Sequence, residues 1–236
     1  RRRRAAQRRT TTLGMFILVL GSTAGLGNFL SSLFAVERTV FDYGKLKGLP
    51  ESFAFEAGQQ ALKGEVAATS SDGLAIATFA GGCFWGTELQ YMRMRGVVAT
   101  CVGYTQGTLE QPTYSEVCSG TTGHTEACQI VYDPKRCPYE LLCAKLFETI
   151  DPTVLNRVGN DVGTQYRHGI YPHTTEQLAS ARAVVAREQK SRTKPIVTEV
   201  KEAAIFWPAE EYHQQYLKKG GQSASKGETE RVRCYG

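Results

Sequence analysis

The first part of the sequence lacks acidic residues, and the whole chain lacks the regularities that mark several protein classes. Residues 1–36 contain six arginines and no Asp or Glu. No internal repeat is visible, and eight prolines with 24 glycines follow no collagen-like period. Seven cysteines are an odd number, which argues against a purely disulfide-stapled scaffold. Because 42% of the 236 residues are hydrophobic, the chain can bury a core, and wholesale disorder is excluded.

The net charge of +5 comes from the N-terminal arginines. Without them, 22 basic residues stand against 23 acidic ones, so the rest of the chain is nearly neutral. We therefore expect no extended cationic surface for binding nucleic acid.

Residues 1–36 have the pattern of a targeting segment, in which arginines are followed by an apolar stretch and by small residues. The segment is rich in Arg, Ser and Thr, as organellar transit peptides are, and Arg8–Arg9 weakly resembles a twin-arginine export signal. The alternative is a membrane anchor, because residues 13–36 are about long enough to span a bilayer. Four glycines and several hydroxyl residues within 13–36 favour the targeting segment.

The remaining chain divides by composition into three parts. Glycines interrupt residues 37–72, which predicts a linker with one short helix near residues 53–62. Strand-like and helix-like apolar patterns then alternate over residues 73–217 and predict an α+β domain. Within it we expect strands at 196–200 and 204–206 and a helix that begins at Pro208. Residues 218–236 are rich in Gly, Ser and Lys, which predicts a mobile tail.

The segment Gly81–Gly82–Cys83–Phe84–Trp85–Gly86 carries the strongest chemical signal. A predicted strand runs into two glycines, which permit a sharp turn, and a helix follows at once. Cys83 would then lie at the positive end of the helix dipole, where the thiolate is favoured. The alternative role for Cys83 is a small apolar residue packed under a turn.

Two further clusters place polar side chains between glycines. The first leads from Thr113–Tyr114 through Cys118 to His124 and Glu126, and the second covers residues 159–167, including Asp161 and Tyr166. Each cluster alone would be read as a turn. Together with the Gly-Gly-Cys segment they favour a reaction site.

These blocks resemble those of the A-type peptide-methionine sulfoxide reductases. The similarity rests on GGCFWG, PTY–EVCSG–TGH–EA, GND–GTQYR and EEYHQQYL, which follow one another in the same order between about residues 75 and 217. It implies a ferredoxin-like two-layer α/β plait with a central mixed sheet and a flexible C-terminal tail. The closing Arg233–Cys234–Tyr235–Gly236 is similar to plant-type members, which implies a chloroplast location. Another organelle, membrane anchoring or secretion through residues 13–36 are the alternatives.

The resemblance also implies a reaction and a set of site residues. The enzyme would reduce the S-epimer of methionine sulfoxide, free or in proteins, and so repair proteins under oxidative stress. Cys83 would be the nucleophile and Glu126 the general acid. Tyr114 and Tyr166 would hold the sulfoxide oxygen, and Asp161 would support the site. Phe84 and Trp85 would form an apolar wall for the substrate's S-methyl group.

The attack would leave Cys83 as a sulfenic acid, which a second thiol must resolve. Cys234, on its predicted flexible tail, is the candidate resolving cysteine, and a thioredoxin-type dithiol would reduce the resulting disulfide. Plant-type relatives usually carry a further cysteine a few residues earlier, but Gly227–Glu228–Thr229 stands here, which argues against a two-step relay within the tail. We expect no bound cofactor or metal, no nucleic-acid partner, a monomer, and membrane contact only through a retained N-terminal segment.

Two other functions are compatible with some of these residues. A cysteine hydrolase would pair Cys83 with His124 or His213 as the base. A zinc-binding module could use Cys118, Cys128, Cys137, Cys143 and His124, although their spacings do not match the usual cysteine knuckles. Neither alternative explains the terminal cysteine.

Overall fold

Eight β-strands and six α-helices lie within residues 38–234, the part of the chain that the computed structural model describes. The strands are β1 Ala75–Gly81, β2 Val97–Thr105, β3 Thr125–Tyr132, β4 Arg157–Val158, β5 Asp161–Val162, β6 His168–Tyr171, β7 Glu199–Val200 and β8 Trp207–Pro208. The helices are α1 Ala54–Leu62, α2 Phe84–Met92, α3 Tyr114–Cys118, α4 Tyr139–Thr149, α5 Thr175–Gln189 and α6 Tyr216–Lys219. Short 3₁₀ helices cover Tyr43–Leu46, Thr164–Tyr166 and Glu211–His213.

Six of the strands form one mixed sheet in the order β7-β6-β1-β3-β2-β8. The pairs β6–β1, β1–β3, β3–β2 and β2–β8 are antiparallel, and β6–β7 is parallel. Strands β4 and β5 form a separate hairpin. The predicted mixed α/β architecture with a central mixed sheet is therefore confirmed.

Both faces of this sheet are covered, which explains why β1 is almost continuously apolar. Phe79 packs on one face with buried residues of α4 and α5, including Leu146 and Val184. Ile76 packs on the other face in a second cluster. Successive side chains of a strand point to opposite faces, so a strand covered on both sides needs apolar residues at every position.

The predicted linker over residues 37–72 is corrected by this second cluster. The short helix is present as α1, but Tyr43, Leu46 and Phe53 are each at most 4% exposed and pack with the sheet residue Trp207. Gly48 and Gly64 lie in turns, whereas Gly44 and Gly58 lie within helices, and none of them prevents the apolar residues between them from packing. Residues 40–72 therefore belong to the folded unit that extends from Val40.

The region before the C-terminal segment also differs from prediction. Only Glu199–Val200 of the predicted strand 196–200 is paired, and pairing in the next strand covers Trp207–Pro208 rather than residues 204–206. Pro208 does not begin a helix, because it lies opposite Gly103 in β8 at the sheet edge. An edge position tolerates the missing N–H of proline.

The tail that was predicted to be mobile follows a defined course through Cys234. Its residues 222–230 make several hydrogen bonds to the end of α2 and to one another. The polar composition is thus compatible with an ordered segment that contains little regular secondary structure.

No helix among residues 38–234 is long and apolar enough to cross a membrane. The predicted targeting segment or anchor at residues 1–36 lies outside the described residues.

Candidate active site

The Gly-Gly turn carries Cys83 from β1 to the beginning of α2, as predicted. Gly82 has a φ of 78°, and a Cβ atom there would lie 2.5 Å from the Cβ of Val158. Glycine is therefore required by both backbone conformation and space. Cys83 is the N-cap residue of α2.

Glu126 lies on β3 and reaches the same turn. Its side chain is 2% exposed, and its Oε2 accepts a hydrogen bond of 2.9 Å from the backbone N–H of Phe84. Burial raises the pKa of Glu126 to about 8, the Phe84 N–H opposes this shift, and the charge of Asp161 adds to it. At neutral pH this carboxyl group is therefore mostly protonated and can donate a proton.

Asp161 and Tyr166 approach the turn from the segment that follows α4. The backbone N–H of Cys83 donates to the Asp161 carboxylate, while burial raises the pKa of Asp161. Tyr166 ends a 3₁₀ helix that Thr125 holds through a 3.1 Å hydrogen bond from its hydroxyl to the carbonyl of Gln165. Burial and the nearby Glu126 raise the pKa of Tyr166, so its hydroxyl stays a donor.

Tyr114 begins α3, whose capping box is formed by Thr113 and Glu116. Its phenol is hydrogen-bonded to the Cys118 thiol, and burial raises the pKa of Tyr114. Its backbone N–H donates to Glu210 Oε1 over 2.9 Å. Cys118 is only partly buried, because the short α3 leaves its C-terminal end near solvent.

The two aromatic residues after Cys83 have different environments. Phe84 is 1% exposed, and its ring centroid lies 5.8 Å from that of Tyr104. Trp85 is partly exposed and stacks on Tyr216 at 3.9 Å, and its Nε1 donates to His213 Nδ1 over 3.0 Å. The accessible part of the predicted apolar wall is therefore Trp85, with Phe84 as its buried support.

The two histidines considered as bases are engaged elsewhere. His124 bonds to the carbonyl of Leu109 over 2.7 Å and to the N–H of Gly107 over 3.2 Å. His213 accepts from Trp85, and burial lowers its pKa to about 4. Both imidazoles thus support local structure, so the geometry does not favour a cysteine hydrolase.

Cys234 lies against Cys83, and the two thiols share a hydrogen bond. Gly86 provides the space, since a Cβ atom there would be 2.7 Å from Cys234 Sγ. The two cysteines line a groove of about 340 Å³ together with Asp161 and Val232. The structure thus brings the predicted nucleophile and the predicted resolving residue together in their reduced forms.

The charge expected on Cys83 is corrected by this arrangement. The hydrogen bond with Cys234, burial and the charge of Glu126 raise the pKa of Cys83, and the N–H of Trp85 opposes them only weakly. The same hydrogen bond lowers the pKa of Cys234. The N-terminus of α2 alone therefore does not make Cys83 a thiolate when the tail is in place.

Glu210 is a site residue that the sequence reasoning missed. It was assigned to the first turn of a helix, but its two carboxylate oxygens accept from the backbone of Tyr114 and, over 3.0 Å, from the hydroxyl of Tyr104. Its position two residues after Pro208, where a helix is predicted, gives no sign of this bridging role.

The zinc-binding alternative finds no support in residues 38–234, which contain no group of three or more His, Cys, Asp or Glu side chains able to hold a metal ion.

Comparison with known proteins identifies the family. The sequence model of the family described as peptide methionine sulfoxide reductase matches residues 75–233. Peptide methionine sulfoxide reductase A2-1 of Oryza sativa subsp. japonica is 53% identical over 76% of this chain and 96% of its own length. A chloroplastic relative from Arabidopsis thaliana, peptide methionine sulfoxide reductase A4, is 52% identical over 70% of this chain, and the match spans 66% of its own length.

Solved structures agree with this assignment. The reduced form of Mxr1 from Saccharomyces cerevisiae has a TM-score of 0.61 and 34% identity, covering 66% of this chain and 90% of that chain. Methionine sulfoxide reductase A of Corynebacterium diphtheriae has a TM-score of 0.58 and 36% identity, and the match covers 67% of this chain and 81% of that chain. The extent of the family match and the identity to these relatives show that the chain belongs to the peptide methionine sulfoxide reductase family.

Proposed function

We propose that the protein reduces the S-epimer of methionine sulfoxide, free or in proteins, to methionine. The observation that carries this proposal is the joint position of Cys83 and a buried, mostly protonated Glu126 at the beginning of α2. This pair supplies a sulfur nucleophile and a proton donor, which are the two groups that sulfoxide reduction needs. Membership of the family supports the same reaction and a role in protein repair under oxidative stress.

In this mechanism the Cys83 sulfur attacks the sulfoxide sulfur, and Glu126 protonates the departing oxygen. As the S–O bond breaks, a bond forms between the Cys83 sulfur and the substrate sulfur, and the oxygen leaves as water with the protons of Glu126 and of the Cys83 thiol. Water then attacks the Cys83 sulfur, the bond between the two sulfurs breaks, and its electron pair leaves with methionine while a proton returns to Glu126. Cys83 is left as a sulfenic acid. The hydroxyls of Tyr114 and Tyr166 hold the oxygen, because both remain protonated donors. A neutral Glu126 also removes the negative charge that opposes ionisation of Cys83.

The other proposed site residues have supporting roles. Asp161 fixes the backbone of Cys83 through its N–H. Trp85 contacts the S-methyl group, and Phe84 packs behind it. These contacts would orient the sulfoxide for attack.

Cys234 completes the cycle as the resolving residue. Its thiol attacks the Cys83 sulfenic acid, an S–S bond forms, and the hydroxyl leaves with a proton as water. A thioredoxin-type dithiol then reduces the disulfide, so no bound cofactor is needed.

The proposed fold and location are more specific than the architecture already described. The order β1-α2-β2-β3-α4-β6, with the antiparallel sheet order β6-β1-β3-β2, supports a ferredoxin-like plait. The chloroplastic relative supports a plastid location through residues 1–36, with another organelle or membrane anchoring as alternatives. We propose a monomer that meets a membrane only if residues 13–36 are retained.

The first test is the Cys83→Ser variant of the full chain. We expect wild type to reduce the S-epimer but not the R-epimer of methionine sulfoxide with dithiothreitol, and the variant to lose at least ~10³-fold in kcat, because serine is a poor nucleophile without an activating base. Chromatographic measurement of methionine decides the outcome, and Cys137→Ser, at a buried thiol in the first core cluster just before α4, is the control. Unchanged turnover in Cys83→Ser would refute the proposed function.

A further inference from the structure

The C-terminal segment runs back along α2, from the end of this helix to its beginning. Arg93, which follows the last residue of α2, donates from Nε to the carbonyl of Ser223 over 2.9 Å and from Nη1 to that of Glu230 over 2.5 Å. Arg93 is 5% exposed, so these hydrogen bonds are made in a largely water-free environment. One guanidinium group thus closes the loop 223–230 against the helix.

A second contact fixes the chain immediately before Cys234. The side-chain amide of Gln222 donates to the carbonyl of Arg233 over 2.7 Å and accepts from its N–H over 3.0 Å. Gln222 is 6% exposed. This two-point pairing fixes both the position and the orientation of the peptide next to Cys234.

The length of the segment matches the distance it must cover. From Cys83 to Arg93 the helix rises about 15 Å, at 1.5 Å per residue. The four residue steps from Glu230 to Cys234 can extend about 13–14 Å, at 3.3–3.6 Å per residue. A nearly extended run from Glu230 is therefore long enough to bring Cys234 to Cys83 while Glu230 stays hydrogen-bonded to Arg93.

We propose that Gln222 and Arg93 are positioning residues for disulfide formation, which hold the Cys234 thiol beside Cys83 before oxidation begins. This inference rests on the proposed function. It means that Arg93 and Gln222, together called the clamp, hold the C-terminal segment in place, so that Cys234 does not move freely. A clamped thiol acts at a much higher effective concentration than one on a mobile tail. Once Cys83 carries the hydroxyl, Cys234 attacks it without a search, and water is released.

The position where a second tail cysteine would be expected has a different task. The side chain of Glu228 accepts from the N–H groups of Thr229 and Glu230, each over 2.8 Å, and so shapes the turn. The Gly227 N–H donates to the carbonyl of Arg93 over 2.7 Å. The segment is thus built for direct transfer from Cys83 to Cys234 rather than for a relay.

The test compares full-length Gln222→Ala and Arg93→Lys with wild type. Each reduced protein receives one equivalent of methionine sulfoxide without reductant. Methionine is quantified, the Cys83–Cys234 disulfide is followed by acid quench and mass spectrometry, and dimedone traps the sulfenic acid. We expect one methionine per protein in all three, disulfide formation at least ~10-fold slower in both variants, and a matching rise of the dimedone adduct on Cys83.

Thr229→Ala is the matched control, since Thr229 is exposed in the same segment. Cys234→Ser gives the signal of a permanently unresolved sulfenic acid. Disulfide formation at the rate of the Thr229→Ala protein in either folded clamp variant would overturn the inference. A purely structural defect would instead lower the methionine yield, which the clamp does not affect.

A second arm separates the clamp from the proposed function. Diamide takes two electrons and two protons from a pair of thiols and forms their disulfide without any sulfoxide. The same slowing in Gln222→Ala and Arg93→Lys supports the clamp even if wild type reduces no methionine sulfoxide, in which case the proposed function fails alone. Equal diamide rates in variants and wild type would contradict the clamp.

Discussion

At the scale of single residues, the state of Cys83 depends on the charges beside it. A charged Glu126 and a docked Cys234 both raise its pKa, whereas a protonated Glu126 removes one of these effects. Burial keeps Glu126 protonated up to about pH 8. The same carboxyl group therefore favours the thiolate and provides the proton that the reaction consumes.

This coupling predicts how activity depends on pH. Since the acid form of Glu126 is required, kcat/KM with dithiothreitol should fall as pH rises through about 8, where the carboxyl group with its raised pKa loses its proton. Glu126→Gln should lower kcat by ~10²–10⁴-fold and remove this alkaline limb, because an amide cannot donate the proton. Stopped assays between pH 6 and 10 measure both effects.

The matched control for that profile is Glu116→Gln, which replaces the carboxyl group of the α3 capping box and leaves Glu126 in place. It should keep the alkaline limb. A Glu126→Gln enzyme with the limb intact would show that another group donates the proton.

The sequence could predict some of these residues but not others. Cys83 follows two glycines, and Glu126 lies in a block with other polar residues, so local pattern was enough. Glu210 contacts Tyr114, which is 96 positions away in the sequence. A local sequence pattern cannot indicate a contact over such a separation. The pKa of Cys83 was also beyond the sequence, because it depends on how the chain end folds back.

At the scale of elements, the C-terminal segment runs antiparallel to α2, and hydrogen bonds hold it at two points. Glu230 is held by Arg93 and Arg233 by Gln222, so only residues 231 and 232 lie between the two fixed points. A change in length cannot be absorbed there without releasing one of them.

Deletion of Arg231 tests this geometry. Loss of one extended residue shortens the segment by about 3.3–3.6 Å, so one anchor must open and the thiol of Cys234 must move away. We expect disulfide formation at least ~10-fold slower, measured by acid quench, while Arg231→Ala stays within ~2-fold of wild type because Arg231 is exposed. Equal rates for the deletion and the substitution would show that length is not constrained.

Elements with a strong local period were predictable. Helix α4 carries an apolar face that the 3.6-residue period of its sequence indicates, and the Thr174 side chain caps α5 by accepting from the Gln177 N–H. A capping box is only half formed at this end of α5, because the side-chain oxygen of Gln177 accepts from the backbone N–H of His173 and not from that of Thr174. The edge strand β8 could not be predicted from local sequence. Its two residues form a strand because they pair with β2, which lies far away in the chain.

At the scale of the whole molecule, the folded unit begins well before the segment that matches the family. The second core cluster joins residues 43–61 to the sheet face opposite α4 and α5. The sequence pattern suggested a linker because these apolar residues are few and widely spaced. Packing against an existing sheet requires only a few of them.

Phe53→Ala tests whether this segment contributes to stability. Phe53 is 4% exposed, and deleting a buried aromatic ring typically costs ~3–5 kcal/mol in the free energy of unfolding. Leu62→Ala, in the same helical region but 52% exposed, should change it by less than ~0.5 kcal/mol. Urea denaturation of the reduced proteins measures both, and similar small values would restore the linker interpretation.

The pairing of Gln222 with the main chain of Arg233 has a consequence for the interchangeability of chain ends. The Gln222 side chain binds a backbone N–H and a backbone carbonyl. Every residue except proline has both groups, so this contact does not distinguish one side chain from another. Foreign tripeptides grafted at positions 231–233 should therefore still dock if they keep the number of residues and contain no proline at 233. Docking of this segment therefore depends on the number of its residues and not on their side chains.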